Sequence, residues 1–229
     1  MEILGLEKVS FVDYEGCVCA TVFTGGCNFM CPFCHNSSLV NKHAEKISEE
    51  EVLSYLSSRT KLLDAVTISG GEPTLQKDLK DFIIKVKNMG YKVKLDTNGT
   101  FPLVVKELID NNLLDLVAMD IKTCFSEYDK VTGLKVNWSD KVKETLEILR
   151  NSNVNYELRT TLVNEFHNEE TIKQMAKDLK NEKLLYLQKF VDSGECIKAN
   201  LTEVPKQKAL IFQDILKKNI QSVNLRGYS

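Results

Sequence analysis

The chain has 229 residues, 30 basic against 32 acidic, with a formal net charge of −2. So even a balance excludes nucleic acid as the main partner, because phosphate binding needs a basic excess or a concentrated basic stripe. Residues 1–16 carry no signal-peptide pattern and no apolar run reaches membrane-spanning length, so a cytoplasmic protein with no membrane partner is expected.

In chain order, apolar and β-branched runs at Val18–Thr24, Ala65–Ser69, Val93–Asp96, Asp115–Ile121, Tyr156–Leu162 and Leu184–Phe190 predict six strands. Helical periodicity fills the gaps. Ser48 and Glu51 form a capping box ahead of Val52, Leu53 and Leu56. Leu79, Phe82, Ile83 and Val86 share one helix face, as do Ile172, Met175, Ala176 and Leu179. Ser139 is placed to cap a helix burying Val142, Leu146 and Leu149, and Pro102 and Pro205 suit first helical turns. Residues Ser222–Leu225 can add an edge strand. Strands alternating with helices imply parallel pairing, and six units predict an α/β fold: a partial (βα)6 TIM-like barrel with outer helices. An open, doubly wound six-stranded sheet is the alternative that periodicity leaves standing. No linker or repeat divides the chain, so residues 1–229 are expected to form one domain with its core over about 17–220.

Polar features then fall at the predicted carboxyl ends of strands. Cys27-Asn28-Phe29-Met30-Cys31-Pro32-Phe33-Cys34 follows the first, Ser69-Gly70-Gly71-Glu72-Pro73 the second, and Asp96-Thr97-Asn98-Gly99 the third. Asp120-Ile121-Lys122 ends the fourth and Arg159-Thr160-Thr161 lies near the end of the fifth. Parallel α/β folds place active sites on that face. Seven cysteines in a reducing compartment are not expected to form disulfides, and three within eight residues need another explanation. Thiolates are soft ligands for iron–sulfur clusters and zinc. Three of them can hold three corners of a cubane and leave one iron open. A zinc site completed by His35 is the bland alternative, disfavoured because Cys34 and His35 are adjacent and cannot easily reach one tetrahedral ion. Gly70 and Gly71 let backbone approach a ligand, and Glu72 can accept from an amino group.

Cys27, Cys31, Phe33 and Cys34, followed by the Gly-Gly-Glu segment, resemble the radical S-adenosylmethionine superfamily. Within it, Cys31-Pro32-Phe33-Cys34-His35-Asn36 is similar to the glycyl-radical-enzyme activases, most of all those serving anaerobic ribonucleoside-triphosphate reductase. The resemblance implies one [4Fe–4S] cluster on Cys27, Cys31 and Cys34 that cleaves S-adenosylmethionine reductively to make a glycyl radical on a partner enzyme. It further implies that Glu72 or the nearby backbone, at Gly70 and Gly71, holds the cofactor's amine, with Phe33 and the backbone of Cys34 and His35 against its adenine. Lys122 and Arg159, with Ile121 beside them, would meet its carboxylate, while Asp96 and Asp120 would hold the ribose or a monovalent cation. Flavodoxin or ferredoxin would be the electron donor. A pyruvate formate-lyase-type activase is one alternative, and a small-molecule enzyme resembling 7-carboxy-7-deazaguanine synthase is another. A pyruvate formate-lyase activase would place a histidine near the end of the sixth strand, where Gln188, Lys189 and Phe190 stand instead. Cys17 and Cys19 are expected to pack in the core, Cys124 and Cys196 to be inert thiols, and His43 and His167 to lie in surface loops.

Overall fold

The computed structural model describes residues 1–41, 44–133, 136, 138–192 and 194–228, so His43 lies outside the described residues. These residues form two compact units. The first comprises Met1–Asn28, Ser38–Ala118 and Lys141–Asn155. The second comprises Phe29–Ser37, Met119–Asp140 and Tyr156–Ser229.

In the first unit β1 (Ile3–Ser10), β2 (Cys19–Thr24), β3 (Ala65–Gly70) and β4 (Lys92–Thr97) lie side by side, followed by the start of β5 (Leu116–Asp120). β2, β3 and β4 run parallel, with Cys19 opposite Ala65 and Ile68 opposite Leu95. β1 pairs antiparallel with β2, from Ile3 against Thr24 to Ser10 against Cys19. The helices between them bury the faces that periodicity marks. α2 (Glu49–Ser57) buries Val52 and Leu56, and its first turn is held by Ser48 Oγ accepting from Glu51 N at 3.1 Å. α3 (Leu79–Asn88) buries Leu79, Phe82, Ile83 and Val86. Each such side chain removed from water contributes about 1.5–3 kcal/mol, so one four-residue stripe is enough to hold a helix on the sheet. α4 (Pro102–Asp110) opens on its proline, and α6 (Ser139–Arg150) buries Val142, Leu146 and Leu149.

In the second unit the end of β5 is followed by β6 (Asn155–Leu162), β7 (Leu184–Lys189) and β8 (Ser222–Arg226). β6, β7 and β8 run parallel, with Leu158 opposite Leu185 and Leu185 opposite Val223. α7 (Glu169–Asp178) buries Ile172, Met175 and Ala176, and α8 (Lys206–Leu216) buries Ala209, Phe212 and Leu216. A short helix, α5 (Tyr128–Thr132), ends on Gly133 in the left-handed conformation.

The fold class is the parallel α/β one expected, with eight strands among the described residues: the six predicted, the edge strand at Ser222–Leu225 as β8, and β1. β1 was missed because Glu7, Lys8 and Val9 are exposed, so the strand shows little alternation. It nonetheless buries Ile3 and Leu4, and β8 buries Val223, so the core extends past both expected limits of 17 and 220. Pro205 precedes α8 rather than opening it, and Ser139 is the first helical residue rather than the cap. Among the described residues no helix is long and apolar enough to cross a membrane.

Candidate functional site

In the first unit the exits of β2, β3 and β4 are fastened to one another. Gly71 N donates to Thr24 O and Glu72 N to Gly26 O, both at 2.9 Å. This contact explains the glycine pair without any ligand. A Cβ on Gly71 would sit 1.9 Å from Gly26 O, and one on Gly70, at φ +111°, would sit 2.4 Å from Thr24 N. Only bare backbone lets β3 leave so close to the start of the cysteine loop. Gln76 Nε2 adds a bond to Gly25 O at 2.9 Å.

Glu72 is enclosed by donors of the protein. Its side chain is 0% exposed. It accepts from Thr74 N at 3.1 Å, Thr97 Oγ1 at 2.8 Å, Asn98 N at 2.6 Å and the Thr74 hydroxyl. Burial pushes its carboxyl above the usual range, against the pull of those donors. The carboxylate is thus an internal tie between the exits of β3 and β4.

Beside it three side chains close a ring. Asn28 Nδ2 donates to Thr100 Oγ1 at 2.9 Å, Thr100 Oγ1 to Asn98 Oδ1 at 2.6 Å, and Asn98 Nδ2 to Asn28 Oδ1 at 2.9 Å. Thr100 N also reaches Asn98 Oδ1, at 3.1 Å, which fixes the Asn98 amide with its nitrogen 3.9 Å from Cys27 Sγ. Asp96 accepts from Ser69 Oγ at 2.9 Å and lies 3.6 Å from Lys94 Nζ.

In the second unit the rest of the cysteine loop is built on buried aromatics. Phe29 meets Tyr128 and Trp138 edge-on at 6.4 and 6.5 Å, and Phe33 tilts against Phe166 at 5.9 Å. Met30 N donates to Thr132 O, Lys198 N to Pro32 O, and Cys34 N to Cys31 O, each at 2.9 Å. Cys31 is buried, which pushes its thiol up to about 11 despite the opposing pull of the Lys122 charge. Cys34 is half-buried and His35 exposed.

The exit of β5 carries a charged trio. Arg159 Nε and Lys122 Nζ each lie 2.9 Å from a different oxygen of Asp120. Burial disfavours the Asp120 and Lys122 charges, but the mutual attraction prevails: it holds the Asp120 carboxyl down at about 2 and the Lys122 ammonium above its ordinary value. Two cations against one anion leave the trio net positive. Asp120 thus positions two cations, and Asp96 likewise has a lysine beside it. Ile121 N donates to Arg159 O and Thr160 Oγ1 to Ile121 O, both at 2.8 Å. Tyr128, fully buried, accepts from Lys122 N at 3.2 Å.

The first unit thus gathers Cys27, Gly70, Gly71, Glu72 and Asp96, and the second gathers Cys31, Phe33, Cys34, His35, Asp120, Ile121, Lys122 and Arg159. Sequence reasoning missed Asn28, Thr100, Tyr128 and His167. The last, expected at the surface, is 0% exposed. Cys19 packs against Tyr14 and Ala65, with Cys17 beside them, as expected; Cys124 is buried and Cys196 half-buried.

The Radical SAM superfamily profile matches residues 21–179. The chain belongs to the radical SAM superfamily. This radical SAM enzyme is 34% identical over 231 residues to a Methanocaldococcus jannaschii protein named as a glycyl-radical enzyme activating enzyme, covering 98% of this chain and 95% of that one. It is 30% identical over 187 residues to the pyruvate formate-lyase-activating enzyme of Clostridium pasteurianum, covering 78% and 76%. A domain of the pyruvate-formate lyase-activating enzyme from Bacteroides vulgatus shares the fold with a TM-score of 0.55 at 19% identity, over 70% of this chain and 98% of that one. Streptococcus suis SuiB shares it with a TM-score of 0.68 at 14% identity, over 90% of this chain and 48% of SuiB.

Membership of the superfamily implies a [4Fe–4S] cluster and S-adenosylmethionine. The donor chemistry of the expected residues suits both groups. Cys27, Cys31 and Cys34 supply thiols, the soft donors that iron–sulfur clusters take. The positive Asp120, Lys122 and Arg159 trio suits a carboxylate.

Proposed function

We propose that this radical SAM enzyme activates a glycyl radical enzyme, holding the cluster through Cys27, Cys31 and Cys34. The observation carrying the proposal is the 34% identity to a protein of that name across nearly the whole of both chains. When bound, cluster and cofactor supply one-electron reductive cleavage of a sulfonium, and so a carbon radical able to take a hydrogen atom.

The chain's own residues bind and orient. Cys31 must give up its proton to become a ligand. Its burial opposes this, and the Lys122 charge favours it. Lys122 and Arg159, held apart by Asp120, take the cofactor carboxylate. The backbone of Gly70 and Gly71, rather than the enclosed Glu72 side chain, meets its amine. Phe33 and the backbone of Cys34 and His35 carry the adenine, and Asp96 and Ile121 line the ribose side. The Asn28, Asn98 and Thr100 ring aims an N–H at Cys27 and so favours the added negative charge of a reduced cluster.

The partner we favour is anaerobic ribonucleotide reductase, with flavodoxin or ferredoxin as electron donor in the cytoplasm. Glycine is an apt target because its bare α-carbon can be approached closely. A pyruvate formate-lyase is the second reading, favoured by the 30% identity to its activating enzyme. The test is anaerobic incubation of the reconstituted protein, S-adenosylmethionine and reduced flavodoxin with each purified partner, followed by electron paramagnetic resonance. A glycyl radical signal on the reductase alone supports the first choice, and one on the lyase alone supports the second. No signal on either partner, from protein that consumes S-adenosylmethionine, removes the activase assignment.

A further inference from the structure

His167 closes a turn that begins where β6 ends. Phe166 N and His167 N both donate to Val163 O, at 3.1 and 2.9 Å. The turn is anchored from behind. Asn164 N donates to Thr202 O at 3.0 Å, and the Glu165 carboxylate accepts from Thr202 Oγ1 at 2.7 Å and Thr202 N at 3.0 Å. Lys208 Nζ, on α8, reaches Asn164 Oδ1 at 2.7 Å.

From this base two side chains reach forward, to different parts of the candidate site. Phe166 packs on Phe33 of the cysteine loop. His167 Nε2 lies 3.0 Å from Lys122 O. Its Nδ1 lies 3.0 Å from Val163 N and 3.1 Å from Val163 O. One neutral tautomer satisfies both ends. With the proton on Nε2, Val163 N–H donates to Nδ1 and Nε2–H donates to the Lys122 carbonyl. A proton on Nδ1 instead would set it against Val163 N–H and turn a bare Nε2 lone pair toward the Lys122 oxygen. Burial, with a smaller push from Lys208, lowers the tendency of the ring to take a second proton.

We infer that the Val163–His167 turn is a positioning device for S-adenosylmethionine, His167 acting through the Lys122 carbonyl and Phe166 through Phe33. The inference rests on the reading above that Lys122 and Phe33 face the cofactor. Tyr128 holds the Lys122 N–H and His167 the Lys122 carbonyl, so the two peptide groups that flank Lys122 are each pinned and the ammonium stays on Asp120. His167 and Phe166 are positioning residues and touch no reacting atom.

The test uses anaerobically reconstituted protein and reads iron content, melting midpoint and the dissociation constant for S-adenosylmethionine. His167→Phe keeps a flat aromatic ring, somewhat larger than imidazole, and removes both hydrogen bonds, and His167→Gln restores a donor for the Lys122 carbonyl. The expected result is unchanged iron content, an affinity about tenfold weaker in His167→Phe, and recovery of most of it in His167→Gln. In a Lys122→Ala background the His167→Phe change adds less than about twofold, because the effect runs through Lys122. A lower melting midpoint with an unchanged dissociation constant overturns the inference, as do losses that simply multiply. If His167→Phe does not fold, Phe166→Leu leaves the turn's backbone bonds in place and is expected to weaken binding about threefold; unchanged affinity then overturns it. Failure of the wild-type protein to bind S-adenosylmethionine sinks the reading of the site and this inference with it. Wild-type binding with unaffected variants sinks the inference alone. Amide exchange of the metal-free protein supplies a ligand-free arm: residues 120–122 exchange faster in His167→Phe, and equal rates refute the clamp.

Discussion

Replacing Glu72 by glutamine separates an internal tie from a cofactor contact. One carboxylate oxygen accepts from Thr74 N, the Thr74 hydroxyl and Thr97 Oγ1, and the other from Asn98 N at 2.6 Å. Glutamine keeps the shape but has one oxygen. With that oxygen toward the threonines, its NH2 faces Asn98 N–H, donor against donor. A hydrogen bond to a charged group contributes about 1.5–3 kcal/mol, and a stranded buried N–H costs about 1–3 kcal/mol. Glutamine regains part of this because it removes a buried charge, which leaves a net destabilisation of about 2 kcal/mol. Glu72→Ala strands several donors at once and is expected to cost about 3–5 kcal/mol. Urea unfolding at pH 7 reads both variants, with the midpoint falling and the slope unchanged. A Glu72→Gln protein as stable as wild type, with S-adenosylmethionine affinity reduced more than about tenfold, would refute the reasoning and return the side chain to the cofactor.

Asp120→Asn is expected to lower stability at pH 7 by about 1–2 kcal/mol, after allowing for partial exposure. The carboxyl titrates at about 2 in the folded protein, below its ordinary 3.8, so its contribution is complete above the unfolded value and disappears as pH falls toward 2. The asparagine variant should therefore lose the corresponding part of the acid limb in a pH series of urea midpoints, and an unchanged limb contradicts the pairing. Gly71→Ala places a methyl group 1.9 Å from Gly26 O, so β3 must part from the cysteine loop. A loss of more than about 3 kcal/mol and poor iron incorporation are expected, and near-wild-type behaviour in both excludes the close approach. Thr100→Val removes the hydroxyl bonds to Asn98 and Asn28 but keeps the Thr100 N bond, and the loosened Asn98 amide should shift the cluster's midpoint potential negative in a redox titration followed by electron paramagnetic resonance. An unmoved potential rules out a role for the Asn98 N–H at Cys27.

Local chemistry was the legible part of this chain. Three cysteines in eight residues speak for themselves, because ligand type and spacing are sequence properties. The apolar stripes of α3 and α7 are equally local, and their burial followed from helical periodicity. What stayed hidden depends on distant partners. Nothing within a few residues of Glu72 reveals that Thr97 and Asn98 close over it. Asp120 was read alone, although its state is set by Arg159, 39 residues away. His167 sits in a polar stretch that resembles surface, and its burial is decided by the turn that carries it to Lys122. The exposed side chains of β1 hid a strand that is defined by its pairing with β2.

The central claim is radical chemistry at the cysteine loop, and the formation of 5′-deoxyadenosine tests it most directly. The protein is reconstituted anaerobically with iron and sulfide, reduced with dithionite and given S-adenosylmethionine. The account predicts 5′-deoxyadenosine and methionine from wild-type protein and neither from Cys31→Ala. A wild-type protein that holds a well-formed cluster, is fully reduced and yields no 5′-deoxyadenosine would contradict it.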